Sequence, residues 1–475
     1  MAAAIAVSGF FSAVGVARDP APGDVSFTVP RLFPKFAPAV HDYVVRCQDA
    51  PVTVTAHASA GWEMAVGSHP FRGGDFTETV GLGEGRSFTT VARRVGHTQA
   101  YRYYVRCLPS SFPTYTFKRQ GPGSPKYFAV DQARAGEERL YGIIFDDRGV
   151  PIWWYHGPVR DPRVEPGGSV VWFDRIAGRW QVHRLDGTFV RTLNSVGTPA
   201  NDHDVQRTAN GNYLFGAYVP QNHVNLSAYG GPSDATVLNA ELQEETPGGQ
   251  LVWSWNSQDR IGLAQTGRHW PMVIDNPKDG AYDIAHWNSI EPDGNSVVAS
   301  FRQLDGVYKI SKLTGNVIWK LGGTHTGKSL TVKSDPHSYT LGSQHDARVL
   351  PDGTVTVFDN RTDLGKGEKQ PRMARFKVNQ QAGTATLMQS ITDPDVSASG
   401  CCGSARRLAN GDWLIDWGGF TTNGGNPIGG YKPNGTRTFL LQFDRTFSYR
   451  AEPVPTGAVS AQDLRQAMNA MYAPQ

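Results

Sequence analysis

Hydrophobic and polar residues alternate in short runs along most of the chain, as in Pro51-Val52-Thr53-Val54-Thr55 and Ala100-Tyr101-Arg102-Tyr103-Tyr104-Val105. Such period-two alternation predicts half-buried strands. From residue 24 to residue 120 the runs are separated by glycine turns such as Arg72-Gly73-Gly74 and Gly81-Leu82-Gly83, which predicts a small β-sandwich domain. Gly121-Pro122-Gly123-Ser124-Pro125 reads as a linker. Near the end, Leu464, Met468 and Met471 lie at helical spacing, so a short C-terminal helix is expected within 456–475.

Between these ends one pattern recurs. A strand, an Asn-Gly or Asp-Gly turn and a second strand appear at Asn210-Gly211, Asp293-Gly294, Asp352-Gly353 and Asn410-Gly411. These dipeptides accept the positive φ of tight hairpin turns. A further hairpin follows, with strands over Gly249 to Trp255, Gly315 to Trp319 and Gly383 to Met388. Two less regular units precede them, one ending in Val150-Pro151-Ile152-Trp153-Trp154-Tyr155 and the other in Asp186-Gly187-Thr188-Phe189-Val190. Four strands per unit, repeated through six units, predict a six-bladed β-propeller over 121–455. The fold class is therefore all-β.

Composition agrees. The chain has 475 residues with 53 glycines and 31 prolines, which opposes coiled coils and helical bundles. Its 46 basic residues against 43 acidic ones form no basic block, so nothing points to nucleic acid. No stretch is long and apolar enough for a membrane span. Residues 1–23 are read as a signal-like or disordered start, with Ala2 to Ala17 small and apolar and Gly15 and Ala17 at candidate cleavage positions. Val45-Arg46-Cys47 and Val105-Arg106-Cys107 share an ending, so two strands lying side by side joined by a disulfide are expected, as suits a secreted or periplasmic protein. Cys401 and Cys402 are adjacent, which does not fit ordinary disulfide geometry, and are expected as two buried thiols.

The turn glycines also supply a ruler. Counting back eight residues from Gly211, Gly294 and Gly353 gives His203, His286 and His345, while the same count from Gly411 gives Gly403. Three consecutive blades thus carry histidine at the start of the strand expected to line the channel. Asn288 lies two residues after His286, on the same strand face if the alternation holds. Arg302 ends the returning strand of that hairpin and should come back beside His286 and Asn288. A histidine followed by aspartate, as in His203-Asp204 and His345-Asp346, can also tie strands together. Three imidazoles, a carboxamide and a guanidinium are donors suited to a tetrahedral oxyanion such as sulfate or phosphate. No carboxylate pair stands in register for glycoside hydrolysis. Three histidines also suit zinc, although an adjacent Arg would repel the metal, so no metal and no cofactor are expected. Neutral imidazole can act as a covalent nucleophile.

The succession Ala285-His286-Trp287-Asn288-Ser289-Ile290, Ala299-Ser300-Phe301-Arg302, Thr314-Gly315-Asn316-Val317-Ile318-Trp319-Lys320-Leu321-Gly322-Gly323, Gln344-His345-Asp346 and Val357-Phe358-Asp359-Asn360 resembles the bacterial arylsulfate sulfotransferases. These are enzymes independent of PAPS, with a six-bladed propeller behind a small β-sandwich. The resemblance covers about residues 125 to 450, as a divergent member. It implies that His345 is transiently sulfated and that His286, Asn288 and Arg302 bind the sulfuryl group, with His203 beside them. It further implies a small-molecule aryl sulfate donor, a phenolic acceptor and ping-pong transfer. Asp346 is a candidate for orienting an imidazole or for tying strands, and Trp287 for stacking on the phenol or for filling the blade. Well-studied members carry a disulfide shortly before the nucleophilic His, whereas this chain has no cysteine between Cys107 and Cys401. A propeller that only binds an anionic or glycan ligand and a His-dependent cyclase or hydrolase are the alternatives, and a homodimer is a candidate assembly.

Overall fold

Strands form where the alternation buries one face: along Val52–Ala58 the valines and alanines face inward while Thr53 and Thr55 are exposed. The structure is a computed structural model and describes residues 19–132, 140–337, 339–362, 364, 369–419 and 425–474. The signal-like segment Ala2 to Ala17 lies outside the described residues. The described chain divides into two compact units, with the boundary between Ser111 and Phe112.

The first unit is a sandwich. Val25–Thr28, Val52–Ala58 and Gly74–Val80 form one sheet, and Asp42–Val45, Ala100–Cys107, Ser87–Arg94 and Trp62–Val66 the other. Phe27, Tyr43, Val54, Trp62, Phe88 and Tyr103 are buried together in its core. Asp42–Val45 runs parallel to Ala100–Cys107, with Val45 opposite Cys107, and a disulfide joins Cys47 to Cys107.

The second unit starts earlier than the linker at Gly121 suggests. Tyr115–Arg119 pairs with Arg437–Phe443 as an added outer strand, so residues expected to end the sandwich belong to the propeller. Among the described residues this unit contains six propeller sheets of four or five strands. Their innermost strands are Ala451–Pro453, Val159–Val164, Ala200–Arg207, Trp287–Asp293, His345–Val349 and Ser404–Arg407. Ala451–Pro453 pairs with Tyr127–Asp131, so the end of the propeller chain completes its first blade and closes the ring. The turn glycines 211, 294, 353 and 411 all have positive φ, between 59° and 87°, and each joins an innermost strand to the next. Apolar side chains interlock between successive blades: Leu214 and Leu242 of the third pack with Trp287, Ile290 and Phe301 of the fourth.

Two features bear on function. The segment between the third and fourth blades carries a helix, Trp270–Asp275, and a strand, Ala281–Asp283, that pairs parallel with Ala235–Glu245. The C-terminal helix Ala461–Met471 buries Leu464 and Met468, and its start is closed by Ser460 and Asp463 exchanging hydrogen bonds. No helix among the described residues is long and apolar enough to cross a membrane.

Candidate active site

The register histidines stand near the starts of three successive innermost strands, and two of them meet. His203 lies in Ala200–Arg207, His286 immediately precedes Trp287–Asp293, and His345 opens His345–Val349. His203 Nε2 is 3.2 Å from His286 Nε2, and their rings meet edge to face at 4.8 Å. Arg302 donates its backbone N–H to the His286 carbonyl at 2.8 Å, returning beside His286 through the hairpin. Its Nη1 lies 3.8 Å from Met272 Sδ, and its charge acts to lower the pKa of His286, His345 and Tyr218. The side chains of His286 and His203 are 16% and 11% exposed, whereas His345 is 2% exposed, so His345 is the deepest of the three.

Each imidazole is oriented by a different partner. Nδ1 of His345 donates to Asn360 Oδ1 at 2.7 Å, which makes Nε2 the unprotonated nitrogen. Its lone pair accepts the backbone N–H of Cys402 at 3.3 Å. Nδ1 of His286 meets Asp283 Oδ2 at 2.5 Å, and the same carboxylate accepts the His286 backbone N–H at 2.9 Å. Nδ1 of His203 faces the side-chain oxygen of Asn201 and lies 3.4 Å from Asp202 Oδ1. With both Nδ1 atoms turned to oxygens, a hydrogen bond between the two Nε2 atoms requires one added proton. His203 and His286 therefore form a pair built to hold a single proton.

Burial decides how tightly. It pushes His203 well below 6.5; Asp202 opposes this, while His286, Arg160 and Lys278 add to it. Burial also lowers His286, with Asp283 pulling back upward. Burial and then Arg302 push His345 well below 6.5, so its imidazole is neutral at physiological pH. Burial would raise the Asp202 carboxyl, but Arg160 and His203 outweigh it and hold it at about 2. Asp283 is likewise held down by His286 and Lys278 against burial. A proton accepted by the histidine pair would thus be weakly held, although the flanking carboxylates stay ionised.

Several residues sit differently from their sequence-based expectation. His286 takes φ 49° and stands outside the strand, and the register shifts between Trp287 and Ser289. The alternation that would align His286 with Asn288 is therefore broken. Asn288 is fully buried and donates Nδ2–H to the Gln344 carbonyl at 2.7 Å, while its Oδ1 has no hydrogen-bond partner. Trp287 is fully buried in the contact between the third and fourth blades and offers no face to a substrate. A β-carbon on Gly216 would come within 2.3 Å of the Trp287 ring and 2.8 Å of the Glu241 carbonyl. Gly216→Ala should therefore cost about 1–3 kcal/mol, read as a lower denaturant midpoint. An unchanged midpoint would show that Trp287 is free to move.

Asp346 does not touch His345. Its carboxylate accepts the Ala405 backbone N–H at 2.9 Å and lies 2.9 Å from Arg348 Nη2 and from Arg406 Nη2. Gln344, on the other side of His345, donates to Ser300 Oγ, the Phe301 carbonyl and the Gly306 carbonyl. The Gln-His-Asp segment is a clamp: Gln344 grips the fourth blade and Asp346 the sixth, with His345 held between them. Asp204 works like Asp346, accepting the Ile290 N–H at 2.8 Å. Of each His-Asp pair, the aspartate ties blades.

Sequence reasoning missed Asp283, Asn201, Asp202, Tyr218, Arg160 and Tyr449. Asp283 stands three residues before His286, a spacing that offered a signal. Tyr218, on the long strand Tyr213–Val224, brings its ring to 6.4 Å from that of His286 and, unlike Trp287, remains partly exposed. Arg160 lies over the Tyr449 ring at 4.0 Å and bonds Asp202 at 3.1 Å. Among the described residues no group of three or more His, Cys, Asp or Glu is placed to hold a metal ion. Cys401 and Cys402, expected as thiols, are joined by a disulfide, with Cys402 at φ 66°, a backbone excursion that adjacent letters do not announce.

Comparisons with known proteins add the family. No curated protein matches the chain significantly. Among solved structures, a catalytically inactive virginiamycin B lyase from Staphylococcus aureus with quinupristin shares 9% identity, covering 73% of this chain and 91% of that one at a TM-score of 0.34. Kluyveromyces lactis Hsv2 shares 11% identity, covering 86% and 99%, at a TM-score of 0.32. The model of the arylsulfotransferase (ASST) family matches residues 179–444, more than half of the chain and all three register histidines, so this protein belongs to the arylsulfotransferase family.

Proposed function

We propose that the protein moves a sulfuryl group from an aryl sulfate to a phenolic acceptor through a sulfated His345. The observation that supports this reading is the state of His345: a buried, neutral imidazole whose Nδ1 proton is fixed by Asn360, leaving Nε2 unprotonated and met by the backbone N–H of Cys402. Nε2 attacks sulfur, the nitrogen–sulfur bond forms, and the bond from sulfur to the aryl oxygen breaks with its electron pair on the phenolate. The phenolate leaves as the anion and takes its proton from solvent. A second phenol then attacks sulfur and passes its proton through the neutral His203–His286 pair to solvent, and the nitrogen lone pair is restored. Arg302 balances the charge of the sulfuryl oxygens, and Tyr218 provides an aromatic wall for the ring. Secretion or a periplasmic location belongs to the same reading, supported by the Cys47–Cys107 bond.

The assay is a chromogenic aryl sulfate with and without phenol. Nitrophenolate release that accelerates with phenol, parallel double-reciprocal lines, and sulfate on the His345 peptide by mass spectrometry are expected. Release of inorganic sulfate without transfer, or retention of the aryl sulfate unchanged, would replace this reading by a hydrolase or a binding propeller.

The pH profile follows from the His345 environment. Only the neutral imidazole attacks, and its fraction saturates above its pKa, which lies well below 6.5. Enzyme sulfation should therefore be flat from alkaline pH down through 6.5 and fall only at more acid pH. A rate already halved at pH 6.5 would show an ordinary imidazole at work.

A further inference from the structure

The register that gives histidine to three blades gives Gly403 to the sixth, and the residue before it, Cys402, makes the contact there. Its backbone N–H reaches His345 Nε2 at 3.3 Å, the nitrogen assigned above as nucleophile. Its carbonyl accepts Asn360 Nδ2–H at 3.1 Å, and Asn360 Oδ1 accepts the His345 Nδ1 proton. One peptide is thus tied to both nitrogens of the same imidazole, directly and through Asn360. Cys402 holds φ 66° and Gly403 φ 94°, two successive left-handed residues of which only the glycine adopts that region freely. The bond to Cys401, the preceding residue, closes a small ring that restrains this backbone.

We propose that the Cys401–Cys402 disulfide is a positioning element of the active site. It presents the Cys402 amide to His345, where the N–H orients the Nε2 lone pair before reaction and turns to a sulfuryl oxygen once Nε2 is bonded to sulfur. The sixth blade thereby contributes a backbone donor where its neighbours contribute imidazoles. The proposal rests on the reading of His345 as nucleophile, and the experiment separates the two.

Oxidised protein labelled with nitrogen-15 histidine is compared with protein treated with a phosphine. The disulfide gains two electrons and two protons, the phosphine becomes its oxide with oxygen from water, and alkylation followed by peptide mass spectrometry shows that Cys401 and Cys402 have opened. The Nε2 resonance of His345 reports the amide contact without any turnover. Single-turnover sulfation by nitrophenyl sulfate reports the chemistry. Opening the ring should move the resonance and slow sulfation about tenfold to a hundredfold, with KM within about twofold. Cys401→Ser with Cys402→Ser should reproduce both effects, and Cys47→Ser with Cys107→Ser neither. Should the Cys401, Cys402 double variant fold poorly, the reduced wild type carries the test. An unmoved resonance and rate in opened protein, with sulfation intact, overturns this proposal alone. Absence of sulfate on His345 in the oxidised wild type overturns the nucleophile reading, and with it the transfer part of this one.

Discussion

His345→Ala should abolish both the covalent sulfate and phenol-dependent nitrophenolate release, lowering turnover on the order of 10^4-fold or more. The size follows from what is deleted. The two-step route exists only through the Nε2 lone pair, and the other side chains of the site cannot replace it: the Nδ1 atoms of His203 and His286 face oxygens, and their Nε2 atoms face each other. His286→Ala removes half of the proton-holding pair but keeps the nucleophile, so a smaller loss of about 10^2- to 10^4-fold is expected. The fold should survive His345→Ala, because Asn360 remains anchored by Ser399 Oγ at 2.8 Å and the Cys402 carbonyl at 3.1 Å. The unpaired Asn360 Oδ1 costs about 1–3 kcal/mol. Equal product release by wild type and variant would sink the covalent mechanism.

Asp346→Asn should have the opposite profile, a loss of about 3–5 kcal/mol in stability with catalysis per folded molecule within a few-fold. Asp346 stands at the centre of a buried ion cluster. Arg348 and Arg406 converge on its Oδ1, while Arg348, Arg163 and Arg450 share Asp204. Neutralising one buried carboxylate leaves these guanidinium groups short of countercharge and weakens the bond to Ala405 that ties the fifth blade to the sixth. Denaturant midpoints measure the first effect and single-turnover sulfation the second. A variant of undiminished stability that no longer sulfates His345 would give Asp346 the imidazole-orienting role instead.

These two neighbours in sequence illustrate what was legible. The propeller could be read because its turns are local: Asn-Gly and Asp-Gly dipeptides satisfy the positive φ of a hairpin within a few residues, and repetition then aligns the blades. The same alignment exposed His203, His286 and His345, because equivalent positions in a repeat occupy equivalent places around its axis. Trp287 was not separable from a substrate-facing aromatic, since its burial depends on Gly216 of another blade. Asp346 was open between two roles for the same reason: Arg348 is close in sequence, but Ala405 and Arg406 lie on another blade, dozens of residues away.

Sequence by itself determined the all-β class, the propeller with its preceding sandwich, the Cys47–Cys107 pairing and the three histidines, all properties of local φ preference, alternation and repetition. Tertiary structure alone decided what each histidine nitrogen meets. It brought Asp283 in on the segment between two blades, set Asn360 against His345 and turned the Cys402 amide onto Nε2. Strand periodicity fails at those points, because His286, Asp346 and Cys402 all adopt left-handed φ, of 49°, 57° and 66°. Such residues leave the alternating pattern and aim backbone and side chain according to ring closure, which brings together groups that no local rule relates.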